Sequence, residues 1–253
     1  MNKSETARRR RASPARQLRP FWFLIAVLAV LVVLGAYVLA SWPALYPHTI
    51  EVNGNRTVAK DAIVERARVD LARNMWLQNT HAMAARIESL PYIDRAFVHR
   101  RPPDTLIITV TERTPYAFVE DRGQQVTVDH ALRVLQDGAP QAVADSLPAF
   151  TIVLPQPAAV GTFIDDPDLK TLVGDADAIA AARLDARSLG FDRFGDVTVQ
   201  LRNGITVLLG DRNGSEAKVA LIRPILEKVD RGKRKVAAID LRALTTPVVV
   251  YAK

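Results

Sequence analysis

The chain has 253 residues, 49% of them hydrophobic and 24% charged, with no cysteine and a net charge of +7. That length supplies one or two domains with real cores, and the absence of cysteine excludes a fold held by disulfides. Lys3, Arg8, Arg9, Arg10, Arg11, Arg16 and Arg19 face only Glu5 in the first 19 residues, so the remainder is nearly neutral. This distribution argues against nucleic-acid binding by the body of the protein.

After the basic tail (1–20) comes Phe21–Trp42, 22 residues without a formal charge and almost wholly apolar. At about 1.5 Å per residue, such a helix crosses a hydrocarbon core of roughly 30 Å. Phe21, Trp22, Tyr37 and Trp42 lie towards its ends, where aromatic rings favour the headgroup level. The run exceeds the core of a cleaved signal, about 7–15 residues, although Val38-Leu39-Ala40 offers small side chains to a peptidase. Arg8–Arg11 is followed by "ASPARQ" rather than an apolar run, which disfavours a twin-arginine export signal. The expectation is one uncleaved span (21–42) held in the lipid bilayer. The basic tail would hold the N-terminus in the cytoplasm, with the rest beyond the membrane.

Next, His48–Val52 reads as a strand and Thr57 as the N-cap of a helix through Ile63, Val64 and Ala67. A second helix is expected over Thr80–Leu90, before Pro91. Two strands follow, "YIDRAFVHRR" and "DTLIITVTER", joined at Pro102-Pro103-Asp104. In the latter, Leu106, Ile108 and Val110 take one face, and Ile107, Thr109 and Thr111 the other. The order is β-α-α-β-β, with both helices covering one face of a three-stranded sheet to bury Ile63, Ile87 and Leu106. Pro115 marks its end.

Beyond it, "AFVED", "QQVTVD", "RVLQD" and "LPAFTIV" read as a β-meander. A helix is expected from Pro167 through the alanine-rich stretch to "ARSLG", weakened by Gly174. Asn203-Gly204 between two alternating strands is the strongest hairpin signal. Then comes a helix with Asn213 and Glu216 as its capping box, Leu221, Ile222, Ile225 and Val229 buried, and a kink at Pro224. "VAAIDLRA" and "PVVVYAK" are the closing strands. The fold class is therefore α+β: one membrane helix, a β-α-α-β-β unit (46–115), and a mixed β-rich unit (116–253) with two helices.

The chain offers no chemistry in its motifs. His48, His81, His99 and His130 form no local ligand pair, and no G-x-S-x-G elbow is present. "GDRNGS" at Gly210–Ser215 lacks the lysine of a phosphate loop, and Asp165, Asp166 and Asp168 are explained by a helix N-terminus. Asn55-Arg56-Thr57 and Asn213-Gly214-Ser215 are sequons without evident use. The reading is a binding protein, not an enzyme, with no cofactor, no metal and no small-molecule substrate.

The residues resemble those of the bacterial FtsQ/DivIB cell-division family. "IEVNGNRTVAKDAI", "NMWLQN" and "IESLPYIDRAFVHRRPPDTLIITVTERTPYAFV" look like its POTRA domain, a β-α-α-β-β unit. "VTVDHALRVLQ", "VTVQLRNGITVLLGD", the Lys218 helix and "IDLR" at Ile239–Arg242 look like its β-domain. Departures stand at Ala72 and around Ala131, where the family has glycine, and at "ALTTP" (243–247), where it often has a glycine turn. The resemblance implies a divisome scaffold at the septum of the plasma (inner) membrane that binds the FtsB–FtsL pair and helps control septal peptidoglycan synthesis. It implies strand addition at the C-terminal edge, through Arg242, Ala243, Leu244, Thr246, Val248, Val249, Val250 and Tyr251. Arg242 is expected to be free for an acidic partner residue, while Pro247 and Lys253 are the residues that could blunt this edge. Other divisome proteins are expected at the POTRA unit. The alternative is a POTRA-bearing component of protein export or outer-membrane assembly.

Overall fold

The computed structural model describes residues 19–138, 146–211, 215–230 and 235–252. Helix α1 (Arg19–Ala40) contains a single apolar window, Trp22–Ala40, long enough to cross a membrane. None of that window is buried against the rest of the protein. Residues 1–18 of the basic tail, Asn213 with Gly214 of its sequon, and Lys253 lie outside the described residues.

A three-stranded sheet follows, built from β1 (Thr49–Asn53), β2 (Ile93–Arg101) and β3 (Thr105–Glu112). Its order is β1-β3-β2, with β1 parallel and β2 antiparallel to β3. Helices α2 (Lys60–Ala67) and α3 (Thr80–Glu88) cover one face. Ile63, Ala67, Ile87, Ile93, Ala96, Ile108 and Val110 form the core between them, and Leu106 is fully buried as well. The alternation along β3 is the cause: Leu106, Ile108 and Val110 point inward, and Thr109 and Thr111 outward.

Thr57 does not cap α2. The N-cap is Ala59, which has no side-chain oxygen to offer. The loop just ahead of the helix is held by Glu112, whose carboxylate accepts the backbone N–H groups of Arg56 (2.8 Å), Thr57 (2.8 Å) and Val58 (2.9 Å). Burial alone would raise the Glu112 carboxyl, but these donors outweigh it and hold it below the usual range. Helix α2 ends at Arg68, which takes the left-handed conformation (φ 52°). Ala72 keeps an ordinary backbone and donates its N–H to Asp70 (3.0 Å), so no glycine is needed there.

The second sheet has nine strands in the order β12-β11-β10-β9-β8-β7-β4-β5-β6. They are β4 (Ala117–Asp121), β5 (Gln124–Val128), β6 (Val134–Asp137), β7 (Ala149–Thr151), β8 (Ala186–Phe191), β9 (Val197–Leu201), β10 (Thr206–Gly210), β11 (Val236–Asp240) and β12 (Val248–Tyr251). Helices α4 (Pro167–Ala181) and α5 (Ser215–Asp230) are the crossovers of the parallel pairs β7/β8 and β10/β11. Leu169, Leu172, Ile179 and Ile222 from these helices share a core with Phe150, Leu189, Val199, Val207, Ile239 and Leu241.

Several expectations need correction. The meander holds for β4–β5–β6, but β7 returns to lie parallel beside β4. Helix α4 stops at Ala181, because Arg183 turns left-handed (φ 55°) and Leu184 closes the end on Ile179. "ARSLGF" is then strand β8, with Leu189 buried in the sheet core. In α5 Ser215, Lys218, Val219 and Ile222 are buried, while Leu221, Ile225 and Val229 are half-buried. The left-handed residue of the "VDHAL" turn is Leu132 (φ 62°) rather than Ala131, and its side chain is buried.

Candidate partner interface

The edge of the nine-stranded sheet is set by β11 and β12. Val207 pairs with Ile239 across the parallel β10/β11 ladder, so β11 sits inside the sheet. Strand β12 runs antiparallel to β11, with Val250 opposite Ala238 and Val248 opposite Asp240. Among the described residues no strand pairs with the outer side of β12. Val248 and Val250 are 56% and 49% exposed, far more than strand valines inside the sheet such as Val199 and Val207.

The phase of the ladder follows from one bond. Ala252 N–H donates to the Lys235 carbonyl at 2.9 Å, towards β11. Backbone groups two residues apart share a direction, so Val248 and Val250 also face β11, and Val249 faces outward. Leu241 N–H, by contrast, donates to Leu208 in β10 (2.8 Å), as the neighbour of Asp240 should; a bulge between Val236 and Ala238 resets the alternation on β11 after Lys235.

Arg242 lies one residue beyond buried Leu241. It is not free. Its Nη2 meets Asp240 Oδ2 at 2.6 Å, and Nε meets Oδ1 at 3.0 Å. The Arg242 N–H donates to the same Oδ1 at 3.0 Å. This pairing holds the Asp240 carboxyl below its ordinary range and the guanidinium above its own. The cause is local: β11 ends at Asp240, whose carboxylate takes the N–H two residues on and so brings the Arg242 side chain beside it. Gly210 (φ 81°) ends β10 close by, where an added Cβ would lie 2.9 Å from Arg242 Cγ. A side chain there would displace Arg242.

Ala243, Leu244, Thr245, Thr246 and Pro247 form the exposed link between β11 and β12. Thr246 N–H returns to the Ala243 carbonyl (3.3 Å), and no residue of 243–247 has a positive φ. "ALTTP" thus turns without glycine. The residues expected at the edge, Arg242, Ala243, Leu244, Thr246, Val248, Val249, Val250 and Tyr251, lie together along one rim, all exposed except half-buried Val249.

Other groupings had no local signal. Arg113 joins the two sheets: Nη2 meets Asp94 (2.7 Å) in β2, and Nη1 meets Asp129 (2.6 Å) after β5. Arg133 donates to the carbonyl of Glu88 (3.1 Å), and both guanidinium groups lie over the Phe163 ring. His130, isolated in sequence, is 2.9 Å from Asp177, which also accepts from the Tyr116 hydroxyl at 2.6 Å. That trio ties α4 to the turn after β5. No group of three or more His, Asp or Glu able to hold a metal ion occurs among the described residues.

Residues 47–113 match the family "POTRA domain, FtsQ-type". The cell division protein FtsQ of Streptomyces collinus is 28% identical over 231 residues, covering 87% of this chain and 84% of that protein. FtsQ of Novosphingobium aromaticivorans is 27% identical over 221 residues, covering 87% of this chain and 66% of that protein. The cell division protein DivIB of Clostridium tetani is 25% identical over 114 residues, covering 45% of this chain and 42% of that protein. Residues 47–113 are thus similar to a POTRA domain of the FtsQ type, and along most of its length the chain is similar to bacterial FtsQ cell-division proteins.

Proposed function

We propose that this divisome component is a non-enzymatic scaffold that takes a strand of the FtsB–FtsL pair on the outer side of β12, and through it helps control septal peptidoglycan synthesis. The N-terminal tail lies in the cytoplasm, one helix crosses the inner membrane, and both sheets work on its outer side at the septum. The folded units are 46–115 and 116–253. The observation that carries the reading is the exposed edge of a nine-stranded sheet, with Val249 directed outward and an arginine–aspartate pair at the start of the rim. Such an edge gives affinity through main-chain bonds and selectivity through alternate side chains.

Arg242 enters this reading in a changed role. Because Asp240 already holds it, an acidic partner residue would share the guanidinium rather than find it vacant. The export alternative has no observation in its favour.

Titrating the full chain in detergent micelles with the FtsB–FtsL pair tests the partner. Saturable binding is expected, weakened in Arg242→Glu by the added repulsion between carboxylates. Depleting the protein from cells tests the process, with filaments and unfinished septa as the expected result. Outer-membrane defects with normal septa would point to export instead.

A further inference from the structure

The link between α2 and α3, residues 68–79, is firmly built yet leaves three large apolar side chains in the open. Asn74, only 3% exposed, acts in two directions. Its Oδ1 accepts the Trp76 N–H at 2.9 Å and opens the short helical turn Met75–Leu77. Its Nδ2 donates to the carbonyls of Leu39 (3.2 Å) and Ala40 (3.1 Å), at the C-terminal end of α1. The helix stops there: the Leu39 carbonyl otherwise accepts only the long Trp42 N–H bond (3.4 Å), so Asn74 supplies acceptors at a helix end with a side-chain donor.

The rest of the link is equally fixed. Buried Gln78 donates to the carbonyls of Asp70 (2.6 Å) and Arg73 (2.8 Å) and accepts the Asp70 N–H (3.0 Å). From β2, Arg100 donates to the carbonyls of Met75 (2.8 Å) and Gln78 (2.6 Å), with its guanidinium 5.6 Å from the Trp76 ring. Leu71, Trp76 and Leu77 are nevertheless 59%, 54% and 52% exposed. A clamped backbone cannot swing these side chains away from water. An apolar patch held open in this way marks a contact surface.

Its position identifies the occupant. The two Asn74 bonds place the Met75–Leu77 turn at the end of the apolar window Trp22–Ala40, the depth at which a hydrocarbon core gives way to headgroups. Indole favours that layer, and exposed Trp42 stands in the linker just after α1. Arg68 and Arg73 flank the patch, against Asp70, the one acid of the link, which suits anionic headgroups. We propose that Leu71, Trp76 and Leu77 form a membrane foot: they rest in the headgroup layer and, with the Asn74 bridge to α1, fix the attitude of the POTRA domain on the bilayer. The inference rests on α1 spanning that bilayer.

The absence of native cysteine makes the test direct. Leu71→Cys, Leu77→Cys, Phe194→Cys and Val30→Cys are made singly in the full chain. Each carries a nitroxide in vesicles of phosphatidylcholine with phosphatidylglycerol, with circular dichroism as the folding check. Phe194, 73% exposed between β8 and β9, reports open water. Val30 reports whether α1 lies in the bilayer, which separates failure of the span from failure of the foot. The expected result is that labels at 71 and 77 collide more with oxygen and less with a water-soluble nickel chelate than the label at 194. Collision rates at both positions equal to those at 194, with the Val30 label in lipid, would overturn the proposal. So would protection that develops only when the FtsB–FtsL pair is added, because the patch would then belong to a protein partner.

Discussion

Replacing Val249 by proline removes an outward-facing donor from β12 while leaving the bonds to β11 in place. The direction is set by the 2.9 Å bond from Ala252 N–H to Lys235, together with the pairing of Val250 with Ala238 and Val248 with Asp240. A net backbone hydrogen bond contributes about 0.5–1.5 kcal/mol, and the proline ring also pushes the incoming strand away from its neighbouring bond. The expected cost to binding is about 1–3 kcal/mol, or roughly 5–150-fold in Kd at about 1.4 kcal/mol per tenfold. Val250→Pro is the internal control, because it removes a donor that faces β11. It leaves the Ala238 carbonyl short of a partner and lowers stability by about 1–3 kcal/mol. Both variants carry the same strain of fixing φ near the proline value, so their difference isolates the direction of the N–H. Titration of the full chain with the FtsB–FtsL pair, run beside thermal melts, reads both quantities. Unchanged affinity in Val249→Pro with an unchanged melt would show that the outer side of β12 takes no strand.

Glu112→Ala leaves three N–H groups ahead of α2 without their acceptor and should lower stability by about 1–3 kcal/mol in denaturant melts. Because the folded-state Glu112 carboxyl is depressed, its contribution is present above the unfolded value of about 4.3. It is lost as pH falls through the lower folded value, so stability should fall less steeply below pH of about 4.3 in Glu112→Ala. Arg68→Gly relieves a left-handed, exposed residue and should raise stability by up to about 1 kcal/mol; a lower melting temperature would contradict this. A fragment spanning His48–Thr114 should unfold cooperatively on its own, at a lower temperature than the whole chain because Arg113 loses Asp129. A broad, non-cooperative melt would place the unit boundary elsewhere.

What could be read from the sequence alone was whatever a few adjacent residues decide together. The apolar run of α1, the alternation of Leu106, Ile108 and Val110, and the Asn203-Gly204 turn between β9 and β10 all carry their period or turn chemistry locally. Asp240 and Arg242 are also legible as near neighbours in the sequence, although their pairing with each other, rather than with a partner, is a feature of the folded chain.

Tertiary structure decided the rest because the deciding partners lie far apart in the chain. Glu112 holds a loop more than fifty positions earlier, and Arg113 reaches both Asp94 and Asp129. Asn74 bonds to Leu39 and Ala40 across the whole of β1 and α2. "ARSLGF" has no strong alternation of its own; it is a strand because β7 and β9 already stand on either side with unpaired backbone groups for it to satisfy. The edge follows the same rule. Which backbone groups of β12 face outward depends on where β11 lies and in which register, and that is a property of the assembled sheet.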